Sequence, residues 1–159
     1  MEDFFTRCDE WLTGIASLDA QHAGLADSIR EIENACNCTE NTQSGDSLPG
    51  KQLLSALLDK LYQATKKHFE HEEAVMREAG YPDYAPHRRE HIMMLAELKL
   101  IINMERESTS MEMDSGLARE LKTWFIGHIR QSDCKFSAYA SAHREAAELK
   151  SAADVDFGH

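Results

Sequence analysis

Histidines and carboxylates recur along this chain at spacings that one face of an α-helix would bring together. His68 and Glu72 are four residues apart, and so are His87 and His91. Because 3.6 residues complete a helical turn, each pair projects from one side of its helix. The pattern favours a fold in which several helices direct polar groups into a shared interior. The candidate metal ligands are His22, His68, Glu72, His87, His91, His128 and Asp133.

The net charge of −11 argues against some classes of binding partner. Phosphate backbones and anionic lipid surfaces both attract basic proteins, so neither nucleic acid nor a membrane is expected as a partner. No apolar run approaches the roughly 18 residues that span a bilayer. The N-terminal sequence MEDFFTRCDEW is acidic and lacks the apolar core of a secretion signal. We therefore expect a cytoplasmic protein.

Apolar residues at spacings of three and four predict an all-α protein, an antiparallel up-down-up-down four-helix bundle. Three segments complete the predicted organisation: an N-terminal arm over 1–18, a bundle over 19–136 and a helical C-terminal extension over 137–159. Within the bundle we predict a first helix over 19–36, a polar loop over 37–50, a second helix over 51–79, a third from Asp83 and a fourth from Asp114 or Ser115.

Local signals refine this organisation. Ser17 or Asp19 is expected to cap the first helix, and Leu12 and Ile15 to lay the arm against the bundle, together with Trp11 and Leu18. Gly80, followed by Pro82, is expected to end the second helix in a left-handed conformation. The inner face of that helix carries Thr65, His68 and Glu72 at helical spacing.

Asp133 does not fit regular helical spacing with His128. Five residues separate the two, which corresponds to about 500° of rotation and places them roughly 140° apart. Both can face one centre only if the helix ends or widens locally to i→i+5 pairing, as helices often do at functional sites. We therefore predict a distortion between His128 and Asp133.

Each ligand group taken alone has an ordinary explanation. His68 and Glu72 could form a surface ion pair, His87 and His91 a polar helix face, and His22 a buried core histidine. Together they differ, because burying five histidines on four helices without a ligand is costly. The joint pattern favours a metal site. His71, His143 and His159 follow no matching position and are left out of it.

The number of donors indicates two ions. One zinc takes about four ligands, so the seven candidates are too many for it. With Glu72 and Asp133 bridging, and with an oxo or hydroxo bridge, about eleven of the roughly twelve positions of two octahedral ions are filled. The remaining position lies on the ion that has fewer histidines, and it suits a small diatomic ligand. Mixed imidazole and carboxylate ligation favours iron.

The same blocks resemble the hemerythrin family, bacterial type. WLTGIASLDAQH resembles the segment that leads to the first ligand, and HFEHEE, YPDYAPHRREH and WFIGHIRQSD match the remaining ligand blocks in order and spacing. The likeness covers roughly residues 11–136. Relative to the family, the loop after the first helix is long and the chain continues well beyond Asp133.

The resemblance implies a division of roles among the candidates. By it, His87, His91 and His128 bind one iron, and His22 and His68 bind the other. Glu72 and Asp133 bridge the two irons, and O2 binds at the iron with two histidines. Trp124, Phe125 and Ile129 resemble the apolar residues that line the O2 pocket and shield it from water.

The leading hypothesis is therefore an O2-binding protein without catalytic residues, whose cofactor is an oxo- or hydroxo-bridged pair of irons. It would act as an O2 carrier, or as the O2- or redox-sensing domain of a bacterial signalling protein with a fused or partner output domain beyond 137–159. A homodimer is a further hypothesis. The alternatives are a diiron enzyme (peroxidase, NO-handling or iron-oxidising) and a mononuclear zinc hydrolase, although the chain has no HExxH motif.

Overall fold

A computed structural model describes residues 12–40, 48–108 and 115–156, and the regular secondary structure within these ranges is helical. The elements are α1 (Ala16–Glu40), α2 (Leu48–Glu78), α3 (Tyr84–Glu107), α4 (Ser115–His128), a five-residue π-helical segment, here the π turn (Ile129–Asp133), and α5 (Cys134–Asp156). Within the described ranges, no helix combines the length and the apolar character that crossing a membrane requires.

The helices form the predicted bundle. α1 packs against both α2 and α4, and α2 packs against α3. α4, the π turn and α5 follow one another without a break, so together they make the fourth helical rod. The all-α four-helix bundle is confirmed, and the expected C-terminal helix is present as the direct continuation of that rod.

Two apolar clusters fill the interior. The larger cluster includes Leu25, Leu61, Leu98 and Leu121, one from each helix of the bundle. The smaller cluster consists of Leu18, Met76, Tyr81 and Phe136. Along the sequence, the candidate ligands of each helix are flanked by a residue of the smaller cluster on one side and residues of the larger cluster on the other, although Ile129 of the larger cluster lies between His128 and Asp133. A layer of polar side chains is thereby enclosed by apolar packing on both sides.

The start of α1 differs from the prediction. The helix begins at Ala16, so the last residues of the predicted arm are helical. Thr13 donates both its backbone N–H and its hydroxyl to Asp19 Oδ1, each at 2.7 Å. Asp19 therefore lies within the first turn of α1 and accepts hydrogen bonds from Thr13, before the helix. It does not cap a helix that begins later, as we had expected. Leu12 is 57% exposed and does not pack on the bundle, while Trp11 lies outside the described residues.

The predicted loop over 37–50 was too long at both ends. α1 continues to Glu40 and α2 begins at Leu48, and 41–47 lie outside the described residues. Polar residues do not by themselves end a helix, and no glycine or proline occurs between Cys36 and Glu40. Pro49 stands in the first turn of α2, where proline is well tolerated.

The turn between α2 and α3 matches its prediction. Gly80 has a φ of 65°, the left-handed conformation that glycine adopts without strain. Its N–H donates to the carbonyl of Arg77 at 3.2 Å, and the N–H of Tyr81 donates to that of Met76 at 3.0 Å. This is the Schellman arrangement, with Tyr81 and Met76 in the same apolar cluster. The turn directs α3, which begins at Tyr84, back along α2.

Candidate metal centre

The structure brings all seven candidate ligands into one buried layer. Each is at most 5% exposed. They come from every helix of the bundle: one from α1, two each from α2 and α3, one from the end of α4, and one from the last position of the π turn. In that order they are His22, His68 and Glu72, His87 and His91, His128, and Asp133.

Five of the donors converge as one group. His91 Nε2 lies 2.9 Å from His87 Nε2 and 3.1 Å from His128 Nε2. Glu72 Oε2 lies 3.2 Å from His91 Nε2 and 3.4 Å from His87 Nε2. Asp133 Oδ1 lies 2.9 Å from His128 Nε2. Three imidazoles and two carboxylates therefore surround a common point.

A second group lies beside the first and shares Asp133 with it. His22 Nε2 lies 3.1 Å from His68 Nε2 and 3.2 Å from Asp133 Oδ2. Asp133 therefore presents Oδ1 to the three-histidine group and Oδ2 to the two-histidine group, so it could be shared between two metal ions. Glu72 presents Oε2 to the first group.

The π turn positions Asp133, and it confirms the predicted distortion. The backbone N–H of Cys134 reaches back to the carbonyl of Ile129, five residues earlier. This wide pairing accommodates one additional residue in the turn. Asp133 thereby faces the interior with His128, and both are buried.

Three of the imidazoles are oriented by acceptors that the sequence analysis missed. His91 Nδ1 lies 2.9 Å from Glu73 Oε1, His128 Nδ1 lies 3.0 Å from Glu90 Oε1, and His68 Nδ1 lies 3.0 Å from Gln21 Oε1. Each acceptor follows or precedes a ligand in sequence, yet it contacts a ligand on the neighbouring helix. Acceptors adjacent to ligands are the sequence signal that could have indicated them.

These acceptors determine the tautomers. A carboxylate or amide oxygen only accepts hydrogen bonds, so each of these imidazoles carries its proton on Nδ1. In each of these three rings Nε2 then faces the layer, where neighbouring imidazole nitrogens lie about 3 Å apart. Nitrogens this close together need a proton or a metal ion among them, and a metal ion would bind their lone pairs in place of the protons. The donor set therefore fits a metal.

The two buried carboxylates also favour a bound cation. All four carboxylate oxygens of Glu72 and Asp133 are buried and accept no hydrogen bond of good geometry. An ionised carboxylate in a protein interior needs a counter-charge, which protonated imidazoles or a metal ion can supply. Mixed imidazole and carboxylate donors are a set that iron accepts.

The shifted pKa values report the local electrostatics. Burial, together with the nearby His22, lowers the pKa of His68 to about 4, which keeps that imidazole neutral. Burial also opposes charge on His128, but the Asp133 and Glu90 carboxylates outweigh it and raise its pKa to about 10. Burial raises the pKa of Asp133, but the surrounding imidazoles hold it well below its usual range. The layer attracts positive charge, and a bound metal would displace protons from it.

Aromatic side chains enclose the layer. Phe69 stacks on the His91 ring at 3.7 Å between centroids, a contact that the sequence analysis did not anticipate. The Phe125 ring lies 6.1 Å from the His22 ring, edge to face. Phe125 and Ile129 are buried, while Trp124 is half-buried and packs against the larger cluster. His71, in contrast, is exposed and pairs with Ser17 at 3.2 Å, and His143 is also exposed.

Comparisons with known proteins agree with this arrangement. The family described as the Hemerythrin HHE cation binding domain matches residues 13–140. A bacteriohemerythrin from Stenotrophomonas maltophilia is 28% identical over 138 residues, which cover 85% of this chain and 80% of the relative. Myohemerythrin-1 from Phascolopsis gouldii is 28% identical over 120 residues, 76% of this chain and 81% of the relative.

Solved structures show the same fold. A crystal structure of wild-type hemerythrin aligns with a TM-score of 0.70 at 21% identity. The alignment covers 87% of this chain and 97% of the solved one. At that identity the likeness concerns the fold alone, the bundle that carries the buried layer.

Proposed function

The chain belongs to the hemerythrin family, of the bacterial type, and from this premise we propose that it binds O2 reversibly at a non-haem diiron centre. The observation that carries the proposal is the buried layer, in which five imidazoles and two carboxylates without hydrogen bonds converge as two groups sharing Asp133. A single ion would leave part of this donor set unused.

The proposed roles follow from the grouping. His87, His91 and His128 would hold one iron, with Glu72 and Asp133 beside them. His22 and His68 would hold the other iron, with Asp133 shared between the two. We assign Glu72 as the second bridge, since its remaining oxygen, Oε1, is buried and has no hydrogen-bond partner. When bound, the iron pair supplies the electrons for reversible O2 binding.

The ligand side of the centre is proposed to be at His22 and His68. This group has one histidine fewer than the other, so it has fewer protein donors. Phe125 lies against His22, and the larger apolar cluster continues behind it through Phe125 and Ile129. Apolar walls exclude water and hinder the escape of charged products, which favours reversible binding over oxidation. We propose Trp124, Phe125 and Ile129 as lining residues.

An absorption spectrum with metal analysis tests this function. The reduced protein should gain a charge-transfer band when it is exposed to air and lose the band when O2 is removed again. Metal analysis should give two irons per chain. One zinc per chain and no response to air would contradict the proposal. Sustained consumption of O2, peroxide or NO in the presence of a reductant would instead support a diiron enzyme.

A sensing role requires that O2 binding at the centre changes the conformation of a part of the protein outside it. The π turn ends at Asp133 and α5 begins at Cys134, so a proposed ligand is directly attached to the C-terminal helix. In a sensor, O2 occupancy would shift α5 and, through it, an output domain that is fused to the chain or binds to it. Protease cleavage within 137–147 should then differ among the reduced, oxygenated and oxidised forms. Equal cleavage would leave the carrier role.

A further inference from the structure

Thr65 on α2 carries a buried hydroxyl group that makes no hydrogen bond within the described part of the fold. The residue is 1% exposed, and its Oγ1 has no hydrogen-bond partner among the described residues. Hydroxyls elsewhere in these helices donate to the carbonyl one turn back: Ser28 to Gly24 at 3.1 Å and Thr123 to Arg119 at 3.0 Å. Thr65 does not do so, although a buried unsatisfied hydroxyl is unfavourable.

Thr65 lies directly next to the ligand layer. It stands one helical turn before His68 on the inner face of α2, as Phe125 stands one turn before His128 on α4. In an up-down-up-down bundle α2 and α4 run in the same direction. Both residues therefore lie on the same side of the layer. Phe125 contacts His22 there, so this side borders the two-histidine group.

The surroundings of Thr65 are apolar. The larger cluster on this side of the layer contains only apolar residues and Cys36 among its buried members. Among the described side chains, the other buried hydroxyl of this region is that of Ser28, which is occupied by Gly24. A small ligand beside His22 and His68 would therefore meet one available O–H donor, and the Nε1–H of the half-buried Trp124 is a second donor without a partner among the described residues.

We propose that the Thr65 hydroxyl donates a hydrogen bond to the small ligand held beside His22 and His68, a ligand of the class that ends in an acceptor atom, such as O2 or azide. This assignment rests on the proposed function. In an apolar pocket such a ligand has no water to hydrogen-bond with, so one donor has a large effect on how long it stays. Thr65 would thus set the rate of ligand release.

The test compares Thr65→Val with Thr65→Ser in the iron-loaded chain. Valine has nearly the same shape as threonine and lacks the donor, whereas serine retains it. Release of azide from the oxidised protein, and of O2 from the oxygenated protein, should be about threefold to tenfold faster in the valine variant. The serine variant should remain close to the unchanged protein. Thr123→Val, on the exposed face of α4, is the matched control and should have no effect on release.

Unfolding of the same proteins without azide separates this role from a structural one. If the hydroxyl is unsatisfied in the fold, Thr65→Val should leave the unfolding midpoint unchanged or raise it. A lowered midpoint together with unchanged release rates would overturn the proposal and leave O2 binding intact. Faster azide release without any O2 binding would retain the role of Thr65 and overturn the proposed function. A protein that binds neither ligand would overturn both.

Discussion

The two ring nitrogens of each oriented imidazole have separate tasks. In His68, His91 and His128 the Nδ1 atom is tied to an acceptor on the neighbouring helix, and the Nε2 atom faces the layer. The outer hydrogen bond fixes the tautomer and the ring plane, so the inner lone pair is already aimed before a metal arrives. Two of these acceptors are carboxylates, and both serve the three-histidine group.

Glu90 should tune metal binding without touching the metal. Its Oε1 accepts from His128 Nδ1 and its Oε2 accepts from Ser132 Oγ at 2.6 Å. Glu90→Gln can still accept from His128 with its carbonyl oxygen and donate to the Ser132 hydroxyl with its NH2 group, but it removes the negative charge that strengthens the bond to His128. We expect iron affinity, measured by competition with a chelator, to fall about 10- to 100-fold. Glu97→Gln, an exposed position on the same helix, should have no effect. Equal affinities in the two variants would contradict the role of Glu90.

Removing a proposed bridging carboxylate should lower the number of irons that each chain binds. Glu72→Ala or Asp133→Ala deletes a carboxylate that is enclosed by the imidazoles, and each variant should retain at least one iron fewer than the unchanged chain. Metal analysis after gel filtration, with circular dichroism to establish folding, measures this. His71→Ala is the control, because His71 is exposed and faces Ser17. A folded Asp133→Ala variant with full iron content would show that Asp133 is not a bridge.

At the scale of the elements, spacing was more informative than composition. The five-residue interval between His128 and Asp133 predicted a distortion, because a regular helix cannot place both residues inside, and the structure forms a π turn there. Composition misplaced the helix ends: Pro49 suggested a loop but lies in the first turn of α2. Proline breaks the interior of a helix and suits its start, so its position relative to the apolar stripe matters more than its presence.

Two glycines should respond in opposite ways to the same substitution. Gly80→Ala forces a side chain into a φ of 65°, which costs about 1–2 kcal/mol. Gly24 lies within α1 at an ordinary helical φ, and an added Cβ there meets nothing within 4 Å. Gly24→Ala should therefore stabilise the protein by about 0.5–1 kcal/mol. Urea unfolding measures both, and an unchanged midpoint for Gly80→Ala would show that the Schellman turn contributes little.

At the scale of the whole molecule, helical spacing indicated the candidate ligands, which the structure brings together, but it could not indicate the residues that orient them. Ligand pairs such as His87 and His91 are local, so their shared face can be deduced from helical periodicity alone. The contact of Glu73 with His91 depends on how α2 and α3 slide past each other. Periodicity predicts which face is buried and says nothing about that offset, which side-chain packing decides.

We expect metal binding in the buried layer to stabilise the whole bundle. Every helix contributes candidate ligands, and the apolar clusters on both sides leave the Glu72 and Asp133 carboxylates without solvent. Removing the counter-charge from a buried ion pair typically costs about 3–5 kcal/mol, so the iron-free protein should unfold at a clearly lower urea concentration.

The control for this coupling is the double variant Glu72→Ala and Asp133→Ala. It lacks both uncompensated carboxylates, so added iron should change its unfolding midpoint far less than that of the unchanged chain. Circular dichroism in urea, with and without iron, gives all four midpoints. If removing iron from the unchanged chain left its unfolding midpoint the same, protons would stabilise the buried carboxylates as well as a metal does. That result would contradict the expectation that a diiron centre stabilises this fold.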